Sequence, residues 1–528
     1  QTRFFVLPLF GALLFVLHPL QTEAVLYIYQ RSTLLAACFA FLTLVAYLSD
    51  RPKLTLVFLV LALFSKEFTV ALPLILWSMD GLLRQKWKPG RWLTTYLVIT
   101  LSGGLGFLIW VLTSQDVTLG GDLGKSAAYA ATQVRVLWSY IGLTLFPVSL
   151  NLDHHVVAQR DFLDPSWWLA LMSLAALFWL ALRLRERSPK ATFFVFVFFA
   201  FLLPTSSFVP SRDYLFEHRV YASLLGFSGL LSLVLGASWR MLKARLVSGA
   251  TQQRLAGLLV GLATTVPPFT YGVIDRDRLK DWSNEVALWR DTAEKSPNKY
   301  RPNYNLGVTL MEHSPRQAIV YLSRAISIDP GIPLAYRSLG EVCFKLGNLD
   351  AAEQFWNRAL ELNPDHAKTY LALGRLYAQR LDFFRAHQHL QRAQELDPSD
   401  WRSYFHLAQL NLRFGFWEKA VIQSEMGLNR DPDHVGLRLL LADSVAQTRN
   451  WNRAIELYQE LLARDPGNSL IYYKLAQVYW TTRRQRQALE TVREGIANAD
   501  SELESAQGKS LLNRILSERP EPMNNSGG

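Results

Sequence analysis

Hydrophobic residues in the first half of the chain form long runs that are separated by short polar stretches. Long apolar runs with few ionisable residues predict membrane-spanning helices. We predict nine spans within residues 1–275, together with one interfacial or re-entrant helix that carries Arg135 and Gln133. The spans are 4–17, 32–49, 54–64, 68–83, 92–113, 167–184, 191–203, 220–238 and 255–273, and the additional helix is 127–146.

The run 54–64 is too short for an ordinary span. At 1.5 Å per residue it measures about 16 Å, whereas the hydrocarbon core of a bilayer is about 30 Å thick. Residues 54–64 and 68–83 are therefore either two thin spans or a hairpin that enters the membrane and returns. Both alternatives bring the chain back to the side that it left.

Basic residues are distributed unequally between the polar stretches. The stretches 50–53, 84–91, 183–190 and 240–254 contain 14 Lys and Arg, against 7 in the longer stretches 18–31, 65–67, 114–165 and 204–219. Because basic loops stay in the cytoplasm, the second set is predicted to be external. The formal net charge of +11 thus reflects topology, and we predict no nucleic-acid partner.

The second half of the chain repeats itself. Five prolines recur every 34 residues, which is the tetratricopeptide period: Pro330, Pro364, Pro398, Pro432 and Pro466. We predict an all-α chain, with a polytopic helical membrane domain followed by a tetratricopeptide α-solenoid. Its parts are a linker with an orphan helix (276–299), about six repeats (300–500), and a capping helix with a disordered tail (501–528).

The position of this array follows from the span count. After the last outward span the repeats are predicted to lie on the extracytoplasmic side, which indicates an integral membrane protein with an external solenoid. Such arrays bind extended peptides or protein surfaces in their groove. A peptide or protein partner is therefore expected there.

Four polar segments that are predicted to be external carry candidate chemistry. In the first, a helix after Pro19 would place Glu23, Tyr27 and Gln30 or Arg31 on one face. Ionisable residues so close to hydrocarbon usually mark functional sites. The alternative is a polar turn in which Glu23 and Arg31 neutralise each other.

The second stretch, 203–221, combines arginine, carboxylate, histidine and hydroxyl side chains. Its charged members are Arg212, Asp213, Glu217, His218 and Arg219. Arginine suits an anionic phosphate, which it binds bidentately. The alternative is a turn whose acids and arginines balance each other.

Two further motifs leave their alternatives open. Lys66 and Glu67 are either a self-neutralising pair or part of one pocket together with the two stretches above. Asp153 and His154 could ligate a metal, but adjacent side chains on an extended segment diverge, so a solvated loop is the simpler interpretation. The sequence contains no Walker loop, no GxGxxG motif and no serine nucleophile elbow, and Cys38 and Cys343 lie too far apart in sequence to indicate a disulfide framework.

These motifs together resemble a known family. The segments that carry the resemblance are 18–25 (HPLQTEAV) with Gln30-Arg31, Ser65-Lys66-Glu67, Asn151-Leu152-Asp153, 206–210 (SSFVP) and 217–221 (EHRVY), followed by the repeats. They are similar to the transmembrane and tetratricopeptide-repeat O-mannosyltransferases and their bacterial relatives, which are polytopic glycosyltransferases of the GT-C class. The resemblance covers nearly the whole chain, and likeness to the bacterial relatives implies a bacterial inner membrane with the solenoid in the periplasm.

The resemblance implies transfer of a sugar from a polyprenyl-phosphate donor to Ser or Thr hydroxyls of a protein on the external face. It implies that the main catalytic carboxylate belongs to an external loop upstream of residue 1, with Glu23 and Glu217 as the candidates within this chain. The implied substrate-binding residues are His18, Arg31, Lys66, Glu67, Arg212, Asp213, His218, Arg219 and Tyr221. No cofactor is implied with certainty, and a divalent metal stays open.

Two other functions remain open at this stage. The chain could be a non-catalytic membrane-anchored scaffold whose repeats assemble envelope proteins. It could also be a partner in polysaccharide assembly that binds a lipid-linked sugar without transferring it.

Overall fold

The computed structural model describes residues 6–113, 123–206, 213–245 and 250–517. Throughout these ranges every regular element is a helix, so the all-helical prediction is confirmed. The chain divides into two compact units, Gln1–Thr309 and Leu310–Gly528. This boundary falls inside the repeat that we predicted at 300–332, whose first helix belongs to the first unit.

The first unit is built from apolar helices joined by short polar turns. Its helices are α1 (Val6–Val16), α2 (Gln21–Leu26), α3 (Arg31–Leu48), α4 (Pro52–Ser65), α5 (Leu72–Leu83), α6 (Arg91–Thr113), α7 (Leu123–Leu145), α8 (Pro165–Leu184), α9 (Pro189–Leu202), α10 (Leu224–Arg245), α11 (Ala250–Asp281), α12 (Glu285–Lys295) and α13 (Tyr300–Leu310). Short 3₁₀ turns occupy Ile28–Gln30, Glu67–Ala71 and Glu217–Val220.

Among the described residues, four helices are long and apolar enough to cross a membrane: Ile28–Leu48, Pro165–Leu184, Leu224–Met241 and Gly257–Asp281. Shorter apolar helices lie at Leu7–Val16, Pro52–Ser65 and Pro189–Leu202. Large apolar side chains on α8 face outward, such as Leu169 at 72% exposure. An apolar surface of this kind suits contact with lipid. The number of spans and their orientation stay predictions.

The predicted continuous helix after Pro19 is wrong. Helix α2 ends at Leu26 because Tyr27 adopts an extended backbone (φ −78°, ψ 110°), and a 3₁₀ turn separates it from α3. The chain therefore changes direction between Glu23 and Arg31. These two residues do not share a helix face.

Helix α11 also departs from expectation. It was predicted to end near residue 273, but it extends to Asp281 and is 32 residues long in total. It contains Pro267 and Pro268. The extension carries Arg278 beyond the apolar run. This position becomes important for the candidate site.

Contacts between turns divide the polar loops of the first unit into two groups. At one end, the Arg84 guanidinium binds Asp50 at 3.1 Å, which joins the α3–α4 turn to the end of α5. At the other end, Lys66 donates to Gln30 at 2.6 Å, and the backbone N–H of His218 donates to Glu23 at 3.0 Å. The loops 18–31, 65–67 and 213–219 therefore meet at one end of the helices.

The second unit consists of paired helices. They are α14 (Pro315–Ile328), α15 (Pro333–Lys345), α16 (Leu349–Leu362), α17 (Ala367–Gln379), α18 (Phe383–Leu396), α19 (Trp401–Arg413), α20 (Trp417–Leu428), α21 (Val435–Gln447), α22 (Trp451–Arg464), α23 (Ser469–Thr481), α24 (Gln485–Ala497) and α25 (Glu502–Ser517). Small residues allow each pair to pack closely. A Cβ on Gly340 would lie only 2.5 Å from the buried ring of Trp356.

Each helix pair in this unit is joined by a turn with the same backbone geometry. Five residues spaced 34 apart adopt a positive φ of 62–82°: Gly347, Leu381, Gly415, Arg449 and Arg483. A residue in this left-handed region commonly ends a helix, and glycine occupies it at least cost. The repeat period is therefore visible in the backbone as well as in the sequence.

Candidate functional site

A polar cavity of about 420 Å³ lies where the loops of the first unit converge. It is bordered by α2, by the turns before α3 and after α4, and by the loop that precedes α10. Its polar side chains are Glu23, Tyr27, Gln30, Thr33, Lys66, Glu67, Asp153, Thr205, His218, Arg219, Arg301 and Asn305. The cavity thus combines cations, carboxylates and neutral hydrogen-bonding groups.

Lys66 supplies one cation to the cavity. Its ammonium donates to the side-chain oxygens of Gln30 and Thr33, both at 2.6 Å. Burial lowers the pKa of Lys66, while the neighbouring charges of Glu67 and Glu23 act in the opposite direction. Because the two acceptors are neutral, they orient the ammonium without cancelling its charge.

Arg219 supplies a second cation. Its guanidinium donates to the Tyr129 hydroxyl (3.3 Å) and to the backbone oxygens of Tyr214 (3.2 Å) and Asp213 (3.3 Å). It also lies over the Phe216 ring at 5.1 Å. These contacts hold the arginine in one orientation at the cavity wall.

The two glutamates of the cavity differ in their partners. Both oxygens of the buried Glu23 are occupied by His218, whose Nδ1 lies 2.6 Å from Oε1 and whose backbone N–H donates to Oε2 at 3.0 Å. Glu67 is exposed to the cavity and makes no hydrogen bond or ion pair within the described part of the chain. Glu67 is therefore the carboxylate that an incoming group can reach.

Glu217 does not line the cavity. It is fully buried, and its carboxylate binds Arg278 at 2.5 Å, His154 at 2.8 Å and the backbone N–H of Asn151 at 2.6 Å. Burial raises its pKa, but Arg278, His154 and the N–H group outweigh burial and leave the pKa below its usual value. This enclosure makes Glu217 a structural anion in place of the catalytic group that we predicted.

Asp153 and Asp213 form a second buried cluster with two cations. Lys299 binds both carboxylates, and so does Arg301. Burial raises the pKa of Asp213, but Lys299 and Arg301 outweigh this effect and lower the pKa overall. For Asp153 burial prevails over the same two cations, and its pKa is raised. The cluster ties the loops 148–165 and 213–219 to α13.

The predicted metal pair has other partners. Asp153 is bound by Lys299 and Arg301, and His154 is bound by Glu217. Across the described ranges no group of three or more His, Cys, Asp or Glu side chains is arranged to hold a metal ion. The solvated-loop alternative is wrong, because Asp153 is 1% exposed.

Several predicted residues lie away from the cavity. Burial lowers the pKa of His18 to about 4, and its Nε2 lies 2.9 Å from the Thr144 backbone oxygen. Arg31 is exposed at the start of α3, and the Tyr221 ring packs against Phe15. Arg212 lies outside the described residues.

The cations Arg278, Lys299 and Arg301 were missed by the sequence analysis. They lie in or next to the segment that we predicted to be a linker. In a linker, basic residues are expected to be exposed to solvent. A usable signal was present in the carboxylates of the polar stretches that were predicted to be external, since any carboxylate that becomes buried needs a charged partner. The identity of those partners could not be read from local sequence.

Comparisons with known proteins identify the repeats. Residues 332–399 and 445–515 match two family models, both described as tetratricopeptide repeat. The repeat prediction is therefore confirmed, and such repeats bind peptides or proteins. No curated protein matches the chain.

Solved structures similar to this chain include several repeat proteins. A tetratricopeptide repeat protein from Parabacteroides merdae is 17% identical and covers 45% of this chain and 95% of its own, with a TM-score of 0.35. The pilF protein of Pseudomonas aeruginosa is 20% identical over 40% of this chain and 96% of its own, with a TM-score of 0.35. YrrB, described as a tetratricopeptide repeat protein with an unusual peptide-binding site, is 17% identical. It covers 43% of this chain and 99% of its own, with a TM-score of 0.27.

Proposed function

We propose that the chain is a membrane glycosyltransferase that moves a sugar from a polyprenyl-phosphate donor to Ser or Thr hydroxyls of a protein. The observation that carries this proposal is the cavity in which Lys66 and Arg219 stand beside the reachable carboxylate of Glu67. Phosphate recognition needs cationic donors, and activation of a hydroxyl needs a nearby base. The position of the cavity at one end of apolar helices suits a lipid-linked donor.

In the proposed reaction the leaving group is the lipid phosphate. The bond between the anomeric carbon and the phosphate oxygen breaks, and the phosphate keeps the electron pair. Arg219 and Lys66 would stabilise the negative charge as it develops. Fixed cationic donors in a partly buried site are effective for this purpose, because they need little reorganisation during the reaction.

The acceptor hydroxyl would lose its proton to Glu67. Its oxygen forms the new bond to the anomeric carbon, and the proton passes from Glu67 to water. Glu23, one of the two catalytic candidates that the resemblance implied within this chain, is engaged by His218 through both oxygens. Its supported role is to position His218 at the cavity wall.

The repeat array would bind the acceptor protein. Family matches at 332–399 and 445–515 support a protein-binding role for this half of the chain. The same matches favour the second candidate function, a membrane-anchored scaffold without catalysis. The two candidates differ in whether the cavity binds and consumes a lipid-linked sugar.

The test compares Arg219→Gln with Arg276→Gln, a matched loss of one arginine at an exposed position on α11. Full-length protein in proteoliposomes is given a radiolabelled mannosyl-phosphoryl-polyprenol, and labelled protein and released polyprenyl phosphate are measured. We expect Arg219→Gln to lower transfer at least roughly a hundredfold and Arg276→Gln to leave it unchanged.

Lys66→Gln and Arg219→Lys distinguish a loss of activity from a loss of folding. Lys66→Gln is expected to weaken transfer, and Arg219→Lys is expected to restore part of it, with monodisperse protein in both cases. If wild-type protein neither binds nor consumes lipid-linked sugars while its repeats bind envelope proteins, the scaffold function replaces the enzyme.

A further inference from the structure

A second polar cavity lies at the other end of the same helices. It measures about 300 Å³ and is formed by the α3–α4 turn, the end of α5 and the beginning of α6. Its charged lining residues are Asp50, Arg51, Asp80, Arg84 and Arg91. It is separate from the proposed transfer site, because the two cavities share no residue.

One arginine, Arg84, forms ion pairs with both carboxylates of this cavity. Arg84 donates to Asp50 at 3.1 Å and to Asp80 at 3.3 Å, and Asp80 also accepts from the Tyr47 hydroxyl at 2.6 Å. Arg51 and Arg91 are exposed, and their guanidinium groups make no hydrogen bond or ion pair with any described residue. The cavity therefore keeps two guanidinium groups available for an anion.

Aromatic and apolar groups place the cavity at a membrane boundary. Trp92 is 41% exposed and lies beside Tyr96 with ring centroids 6.4 Å apart. Tyr96 is buried, so Trp92 is the exposed ring of this pair. An exposed tryptophan at the end of an apolar helix is typical of the membrane interface. Leu48 and Leu54, which flank the α3–α4 turn, are 54% and 41% exposed.

We propose that this cavity binds the phosphate of an anionic membrane lipid, with Arg51 and Arg91 as its donors. Guanidinium groups bind phosphate oxygens bidentately, and basic pockets between helices on the cytoplasmic side hold anionic headgroups. The exposed leucines on either side provide a surface for an acyl chain. This apolar surface favours a lipid over free phosphate as the source of the anion.

The test uses native mass spectrometry of the full-length protein in detergent, titrated with phosphatidylglycerol. The double variant Arg51→Gln/Arg91→Gln is compared with Arg185→Gln/Arg187→Gln, which removes the same charge from exposed positions in another basic loop. We expect the first pair to weaken phosphatidylglycerol binding by about tenfold or more. The second pair should change it by less than about twofold.

Three outcomes would overturn the proposal. If both double variants lost lipid binding equally, the lipid would be attracted to surface charge in general. If Arg51→Gln/Arg91→Gln lost no binding, these two arginines would not be the donors. Displacement of the lipid by an equal concentration of inorganic phosphate would identify free phosphate as the ligand. The double variant Arg51→Lys/Arg91→Lys, which keeps the charge, should retain intermediate binding and the wild-type thermal midpoint.

Discussion

The charged residues of the first unit have distinct roles that depend on burial and on partners. Glu217 is enclosed by Arg278, His154 and the Asn151 N–H group. Glu67 faces the cavity and makes no such contacts within the described residues. Glu217, which the sequence presented as a catalytic candidate, is therefore a structural anion, whereas Glu67, which it presented as a substrate-binding residue, is the carboxylate that faces the cavity.

Glu217→Gln tests the structural role. Removing one charge of a buried pair leaves Arg278 unpaired and is expected to cost about 3–5 kcal/mol of stability. The thermal midpoint followed by tryptophan fluorescence in detergent should fall clearly, whereas Glu294→Gln on the exposed face of α12 should leave it unchanged.

The same carboxylate should make stability depend on pH. Because the pKa of Glu217 is lowered below 4.5 in the folded protein, its contribution is fully present above about pH 4.5 and is lost as the pH falls through the folded-state pKa. Below pH 4.5 the midpoint of the wild type should therefore fall more steeply than that of Glu217→Gln. Parallel curves would contradict the assignment.

Glu67→Gln tests the catalytic role. It removes the proton acceptor without changing volume, so transfer should fall by about two orders of magnitude or more, while donor binding stays near that of the wild type. The measurement is single-turnover transfer at saturating donor. An equal loss of donor binding would instead assign Glu67 to substrate binding.

At the scale of elements, the turns within the repeats show a local conflict between residue and backbone. Gly347 and Gly415 suit their positive φ, whereas Leu381 adopts φ 62° with a side chain that is 55% exposed. A left-handed backbone costs a non-glycine residue about 1–2 kcal/mol. Packing of the flanking helices compensates for this cost.

Exchanging the residues at two of these turns should shift stability in opposite directions. Leu381→Gly relieves the backbone and loses little packing, so it should stabilise the repeats by about 0.5–1 kcal/mol. Gly347→Leu should destabilise them by about 1 kcal/mol or more. Thermal unfolding of the full chain measures both, and a loss of stability in Leu381→Gly would show that its side chain matters more than its backbone.

At the scale of the whole molecule, both candidate functions depend on the same orientation, in which the repeats are external. One set of polar stretches contains 14 Lys and Arg and the other contains 7. Contacts within the first set, such as Arg84 with Asp50, lie at one end of the helices, and contacts within the second set, such as Lys66 with Gln30, lie at the other end. The positive-inside rule then predicts that the cavity lined by Lys66 and Arg219 and the repeats are external. An external array could reach acceptor proteins outside the cytoplasm.

An alkaline phosphatase reporter fused after Asp465 should therefore be active. A reporter fused after Ser188, in a basic loop, should be inactive and serves as the internal control. The reverse pattern would place the repeats in the cytoplasm and reject the predicted span count.

The periodic features of this chain could be predicted because they depend on neighbours in sequence. The apolar runs predicted helices, and the 34-residue spacing of Pro330 to Pro466 predicted the repeats. The polar turns that carry Glu23, Lys66 and His218 were expected on the same side of the membrane, and the structure brings them together. Helix ends were less accurate, as Tyr27 and the extension of α11 show, because backbone geometry at a helix end responds to tertiary packing.

The pairing of charges was decided only by the tertiary structure. Glu217 binds Arg278 across 61 residues, and Asp213 binds Lys299 across 86. Helical periodicity relates residues three or four positions apart, whereas a buried carboxylate takes whichever cation the packed helices bring within reach. The sequence alone thus determined the helices, the repeats and the ends at which polar groups collect, while packing decided which acid is enclosed and which one faces the cavity.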